Sequence, residues 1–185
     1  MKRAIAVLAG LGLLGLAFGV AYSAPGDAEL QAPFPVAGEL DEQVVSQHLV
    51  VTVHDAQLAQ EVVVSDWRGT TSGVWLVIDA TVEGRTERSG VDVDVFIDGV
   101  RYPSSGRIST DAVDGRVVDP GFPVTGPILI ELPADILDRS GARTATVRFS
   151  SGIDVRLDSV IDLELDLTGL ERDERTEREP AQEGE

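Results

Sequence analysis

Residues 74–82 read Val-Trp-Leu-Val-Ile-Asp-Ala-Thr-Val and show a regular two-residue alternation. The even-numbered residues of this stretch are all apolar. The odd-numbered residues are mixed in character: Trp75, Val77, Asp79 and Thr81. Because successive side chains of a strand point to opposite faces, the pattern predicts a strand with one apolar face and one half-wet face. Such a strand is typical of the middle of an antiparallel sheet.

The same alternation recurs between residues 44 and 169. Apolar and polar residues alternate in the runs 49–54, 91–97, 128–132, 144–149 and 161–167. Asp98-Gly99 follows the second of these runs, and an Asp-Gly pair between two apolar runs is a strong hairpin signal. About seven to nine short strands with turn residues between them predict an all-β fold, an immunoglobulin-like antiparallel β-sandwich.

The composition narrows the function classes. The chain has 185 residues, no cysteine and a formal net charge of −17. Without cysteine there is no disulfide, thiolate nucleophile, zinc–thiolate site or lipid-modified cysteine. The acidity argues against binding nucleic acid or anionic lipid headgroups. We therefore expect a protein partner, and we expect membrane contact only through the N-terminal segment.

Residues 1–23 have the features of an export signal. Lys2 and Arg3 precede 17 uncharged residues, as in a basic region followed by an apolar one. Ala21 and Ser23 suit cleavage before Ala24, which would make this a signal peptide and the protein secreted. The apolar run also approaches the roughly 20 residues of a membrane anchor helix, and it exceeds the roughly 7–15 residues of an ordinary signal peptide. We slightly favour a retained anchor with the domain outside the cell membrane.

The chain around the β region is expected to lack structure. Residues 24–43 contain three prolines and two glycines, and we interpret them as a linker. Residues 171–185 carry seven acids and three arginines and little apolar material. Because so few apolar groups offset the entropy cost of ordering, we predict that residues 170–185 form a disordered acidic tail. The β-sandwich domain is then residues 44–169.

Several polar residues are candidate carriers of chemistry. His48 and His54 are the only histidines, and a strand would separate them by about 20 Å, too far to bind one metal ion together. Asp92, Asp94 and Asp98-Gly99 fail the spacing of a calcium-binding loop. The serine pairs Ser104-Ser105 and Ser150-Ser151 have no nucleophile elbow around them. The sequence predicts no catalytic residue, no cofactor and no metal site.

The acidic strand faces leave one alternative open. Asp92 and Asp94 lie on one predicted strand, and Asp162, Glu164 and Asp166 lie on another. If these strands were neighbours, like charges would oppose one another. A bound cation would relieve the repulsion, and so would nearby arginines, for which Arg101, Arg148 and Arg156 are the candidates.

Trp75 is the most informative aromatic residue, because it lies on the mixed face of its strand. Such a tryptophan usually packs beneath a loop at the edge of a core. The alternative is an exposed anchor for a protein partner, where Trp and Tyr are enriched. Trp67, Tyr102 and Phe122 are the other aromatic residues of interest.

Residues 73–82 and 119–133 resemble the DUF4352 (telokin-like) group, and Asp98-Gly99 with Tyr102 loosely fits the hairpin between the two motifs. The resemblance implies an exported bacterial protein with an immunoglobulin-like sandwich and no catalytic residues. Two features depart from the group: there is no lipid-anchor cysteine, and Glu83-Gly84 replaces an asparagine at the end of the first strand.

These observations favour a non-enzymatic extracytoplasmic module at the bacterial cell envelope, acting through contacts with another envelope or membrane protein. The alternative is a sensor domain that binds a cation or a small ligand.

Overall fold

The structure is a computed structural model that describes residues 2–23, 30–139, 141–152 and 154–184. The chain forms two compact units, Met1–Ala32 and Pro33–Glu185. The first contains the expected N-terminal helix, α1, Lys2–Ser23. Across the described residues, no helix combines the length and apolar character needed to cross a bilayer. Residues 24–29 of the predicted linker lie outside the described residues.

The second unit is built from strands. Within the described residues there are thirteen: β1 Phe34–Gly38, β2 Gln43–Val45, β3 Leu49–Val64, β4 Trp67–Gly84, β5 Ser89–Gly90, β6 Asp92–Ile97, β7 Val100–Pro103, β8 Val117–Val118, β9 Val124–Leu132, β10 Thr144–Ser150, β11 Ser159–Asp166, β12 Glu171–Arg178 and β13 Gln182–Glu183. Two 3-10 helices, Gly106–Asp111 and Ile136–Asp138, interrupt them.

Strands β5 and β8 pair with each other in a separate two-stranded sheet. The other strands form a β-sandwich of two larger sheets, which confirms the predicted fold class. The smaller sheet has the order β1-β11-β10-β6-β7. The larger has the order β12-β3-β4-β9-β13, with β2 also paired to β3. The strand number exceeds the predicted seven to nine, because very short strands and β12 were not anticipated. Two pairs, β1 with β11 and β12 with β3, are parallel rather than antiparallel.

The domain also begins earlier than predicted. Strand β1 lies inside the segment predicted as linker and pairs with β11 from Phe34 to Gly38. Pro35 misled the prediction, because proline is usually read as punctuation. On an edge strand every second N–H points away from the sheet, so a proline there removes no ladder hydrogen bond.

The main core lies between the two sheets and is organised around β4. The even-numbered residues of β4 from Leu76 to Val82 are buried there, as predicted, with Leu76 and Ile78 completely inaccessible, and Val74 is partly buried against the same core. Residues of the smaller sheet, including Val147 and Phe149, belong to the same apolar cluster. The opposite face of β4 differs from the prediction: Trp75 and Val77 are also completely buried, in a second apolar cluster.

Strand β3 changes face twice along its length. Its register against β4 shifts between Val53 and Asp55, and again between Ala59 and Glu61. At the first shift His54 is an extra residue in β3, and at the second Gln60 of β3 lies opposite residues 71–74 of β4. Such shifts exchange the faces of the residues that follow them. Beyond the second shift, Val62 and Val64 join the second apolar cluster on the outer face of the sheet. The tip of the β3–β4 hairpin therefore bends over that outer face.

The prediction that residues 170–185 are disordered is wrong for the described part of that segment. Strand β12 pairs in parallel with β3 from Gln57 to Val64, and β13 pairs with β9. Thr176 and Ala181 are its only buried residues among those described. The segment is held by main-chain pairing and by acidic partners for Arg175 and Arg178, neither of which its composition reveals.

Ile78→Asp is expected to unfold the domain. An unpaired carboxylate in the core costs several kcal/mol, against a total stability of about 5–15 kcal/mol. The control is Val100→Asp, because Val100 is 48% exposed in a hairpin. Thermal unfolding of both variants checks this, and an Ile78→Asp protein that melts within a few degrees of wild type would contradict the assigned core face.

Candidate functional site

The outer face of the larger sheet carries the second apolar cluster. Trp75, Val77 and Leu129 form its floor, and Ile108 and Ala112 from the segment around the first 3-10 helix cover it. Trp67 packs edge-on against Trp75, with ring centroids 6.1 Å apart. The guanidinium of Arg107 lies 5.5 Å from the Trp75 ring centroid. Trp75 therefore packs beneath a loop, as one interpretation of the sequence had it, and the exposed-anchor interpretation is wrong.

The covering segment is fixed by hydrogen bonds. Arg116 donates to the carbonyl oxygens of Ala112 at 2.9 Å and of Ala181 at 3.0 Å. Arg107 forms an ion pair with Glu131 at 3.1 Å. The Nε1 of Trp75 has no hydrogen-bond partner among the described residues. The segment is thus tied both to the sheet and to the C-terminal chain.

A polar cleft of about 840 Å³ lies on the same face. We call it the outer-face cleft. The hairpin tip, the sheet and the C-terminal chain all line it: Val63, Ser65, Asp79, Thr125, Gly126, Glu177, Arg178, Glu179, Pro180 and Gln182. Residues distant in sequence meet there because the hairpin tip bends over the sheet and β12 runs along it.

An ion pair lies at the centre of the outer-face cleft. Arg178 Nε donates to Asp79 Oδ2 at 2.6 Å, and Arg178 Nη2 lies 3.3 Å from Asp55 Oδ2. Burial raises the pKa of the Asp79 carboxyl above its ordinary value, and the attraction of Arg178 offsets only part of this shift. Arg178 therefore stabilises the charged form of the partly buried Asp79 carboxylate, and this ion pair joins the C-terminal strand to β4.

The neighbouring polar side chains form a row across the sheet. His54 Nε2 and Thr81 Oγ1 are hydrogen-bonded at 2.7 Å, and Thr81 is bonded to Thr125 at 2.7 Å. His48 has other partners, with its Nε2 3.2 Å from Asp158. Across the part of the chain that the structure describes, no three His, Asp or Glu side chains are placed to hold a metal ion.

Ser151, Asp158 and His48 are brought together, but in an order unsuited to catalysis. The Ser151 hydroxyl donates to Asp158 Oδ2 at 3.0 Å, and the other oxygen of Asp158 faces His48. In a hydrolytic triad the histidine contacts the serine and removes its proton, while the carboxylate orients the histidine. Here the carboxylate lies between them, so this arrangement does not activate the serine hydroxyl.

The acidic strands of the smaller sheet are separated by an arginine. Strand β10 lies between β6 and β11, and Arg148 is the register partner of both Asp94 and Asp162. Its guanidinium donates two hydrogen bonds of 2.7 Å to Asp162. Arg101 lies 2.8 Å from Asp94. The two acidic strands are therefore not neighbours, and the direct opposition of like charges that the sequence left open does not occur. Of the three candidate arginines, Arg148 and Arg101 pair with these acids, whereas Arg156 pairs with Asp154.

The other polar and aromatic residues named in the sequence analysis form hydrogen bonds, pack at the core or lie at the surface. Ser104 donates to the carboxylate of Asp114, which also accepts the Val93 N–H at 2.7 Å. Tyr102 packs at the margin of the main core. Phe122 is exposed beside a short turn. The sequence analysis did not identify Asp79 and Arg178 as partners. The available signal was Asp79 itself, because an acidic residue on the mixed face of a central strand needs a cationic partner.

No protein-family model matches the chain, and no curated protein matches it. Among solved structures, the chain is similar to an uncharacterized β-sandwich protein from Clostridium difficile 630. The two are 16% identical, the likeness covers 75% of this chain and 99% of that chain, and the TM-score is 0.46. The β-sandwich architecture given above rests on the strand pairing of this chain itself.

Arg178→Gln is expected to lower the free energy of unfolding by about 1–3 kcal/mol, because it leaves the Asp79 carboxylate without its cation. Arg172→Gln is the matched control: Arg172 lies on the same strand, is exposed and has no ion pair among the described residues. Urea unfolding of both variants measures the difference. Equal stabilities would show that the Asp79–Arg178 contact contributes nothing.

Asp79→Asn should change how stability depends on pH. The folded-state pKa of Asp79 lies above its ordinary value of 3.8. At a pH between the ordinary pKa and the raised folded-state pKa, Asp79 binds more protons in the folded protein than in the unfolded chain. This group therefore makes the free energy of unfolding rise as pH falls. The variant lacks the titration. The stability of wild type minus that of Asp79→Asn should therefore increase from neutral pH toward about 4, and parallel curves would contradict the raised pKa.

Proposed function

We propose that this protein is a non-enzymatic β-sandwich module, exported to the bacterial cell envelope, that acts through contacts with other proteins. One observation carries the proposal. The edge of the larger sheet already holds an extended, polar strand, β12, through main-chain pairing and two arginine contacts. Addition of a strand to a sheet edge is a general mode of protein recognition. The edge of β3 is thus suited to binding an extended strand, and a partner's strand would bind there in place of β12.

The sequence contains no recognised catalytic motif, and this supports the non-enzymatic part of the proposal. The serine, aspartate and histidine that meet in space do so in an order that does not activate the serine. The central carboxylate of the outer-face cleft is engaged by Arg178 at 2.6 Å. A carboxylate already paired in this way serves to hold the chain together rather than to transfer protons.

Export rests on the N-terminal segment, with its basic start and 17 uncharged residues, and the resemblance to the telokin-like group agrees with it. The sequence has no cysteine, so single cysteines report location directly. Val100→Cys should react with a membrane-impermeant maleimide on intact cells, after permeabilisation of any outer membrane, because Val100 is 48% exposed. The control, Val95→Cys, is buried and should react only after denaturation.

Labelling of Val100→Cys only after cell lysis would contradict export. Mass spectrometry of the N-terminus then separates the two forms of the proposal. A chain starting at Ala24 is a secreted protein, whereas an intact N-terminus that resists carbonate extraction is an anchored one. Crosslinking in whole cells, followed by identification of the attached protein, names the partner.

A second candidate function is binding of a small ligand in the outer-face cleft. Its volume of about 840 Å³ lies within the range of ligand sites, about 300–1,000 Å³. Calcium is a direct probe of the cation-binding form of this idea. A melting temperature unchanged by millimolar calcium would count against it, because a ligand that binds the folded state raises that temperature.

A further inference from the structure

The C-terminal strand is a folded segment with the composition of an unfolded one. Strand β12 has the sequence Glu-Arg-Asp-Glu-Arg-Thr-Glu-Arg. Of its side chains, only Thr176 is buried, and beyond the strand only Ala181 is. Neither is large, so the segment gains little from the hydrophobic effect when it docks.

The free energy that holds the segment is therefore small. Ordering each residue of the segment costs backbone conformational entropy. The opposing contributions are the strand pairing of β12 with β3 and of β13 with β9, the Arg178 and Arg175 ion pairs, and the hydrogen bonds from Gln57 to Thr176 and from Arg116 to Ala181. Segments with few buried apolar contacts open at low free energy while the rest of the domain stays folded.

The surface beneath the segment is specific for it. The edge of β3 offers main-chain donors and acceptors from Gln57 to Val64. Glu61 lies 3.5 Å from Arg175, and Asp79 lies 2.6 Å from Arg178. Arginines three residues apart thus meet acids placed to receive them, with a threonine hydroxyl between them bound to Gln57. These features select an extended strand that runs parallel to β3 and carries this pattern.

We propose that the C-terminal segment exchanges between copies of this chain, so that β12 of one molecule pairs with β3 of a second and β13 pairs with β9 of that second molecule. The charge complementarity just described fits this occupant, because every copy carries the same strand and the same edge. Exchange of an identical element is a low-cost route to a dimer, since the strand pairing and ion pairs that break within one chain form again between two. The inference specifies one partner for the protein contacts proposed above and rests on that proposal.

Single cysteines in the full-length chain test the exchange. Val63 and Glu177 are register partners across β3 and β12, and neighbouring strands are about 4.7–4.9 Å apart, a spacing that a disulfide accepts. The Val63→Cys and Glu177→Cys proteins are mixed, oxidised gently and resolved without reductant. The control mixture is Thr146→Cys with Glu164→Cys, register partners on interior strands of the smaller sheet.

The expected result is severalfold more mixed disulfide dimer in the first mixture than in the control. Its yield should rise with protein concentration. Adding Arg178→Gln to the Glu177→Cys protein should reduce the yield severalfold, because the strand then lacks the group that Asp79 binds. A yield that does not respond to Arg178→Gln would show random collision and overturn the inference.

The double variant Val63→Cys/Glu177→Cys separates the possible failures. A disulfide within one chain, together with no mixed dimer from the single variants, shows that β12 stays on its own molecule. That result overturns exchange and leaves the proposed contacts with other envelope proteins standing. Failure of the export test above contradicts the proposed function instead, whatever the dimer yield.

Discussion

Strand β4 is buried on both faces, and the rest of the domain is arranged to meet this constraint. Leu76 and Ile78 are completely covered by the smaller sheet, and Trp75 and Val77 are completely covered on the other side. A sandwich of two sheets covers only one face of each sheet. The outer face of β4 therefore needs a further layer, and it is supplied by the hairpin tip, the 3-10 helix segment and the C-terminal chain.

The irregularities of β3 follow from the same constraint. A regular hairpin would carry Val62 and Val64 straight past the end of the sheet, where their apolar side chains would be wet. The register shift between Ala59 and Glu61 lets the tip turn onto the outer face, where both valines are buried beside Trp75. Bulges that redirect a strand in this way belong to the design of the sheet rather than to its defects. The outer-face cleft exists because the tip is turned.

Much of the main core was predictable because it depends on a two-residue period. The parity of residues 74–82 and the hairpin at Asp98-Gly99 are local patterns, and the structure has both. The pairing of these acids with arginines was also predictable, because opposite charges on neighbouring strands stabilise a sheet, whereas the position of β10 between the two acidic strands was not.

The outer layer was not predictable, since it depends on contacts between residues far apart in the chain. Composition shows that 171–178 lack apolar side chains, and the usual criterion for disorder counts little else. That criterion does not consider whether the edge of another strand is placed to pair with the segment. Without β12, the edge of β3 from Gln57 to Val64 would present unpaired main-chain groups, and the Asp79 carboxylate, which burial makes costly, would lack Arg178. The order of the C-terminal strand is a property of the edge as much as of the strand, so ionic strength and proton concentration, which act on that pair, act on the outer layer before they act on the core.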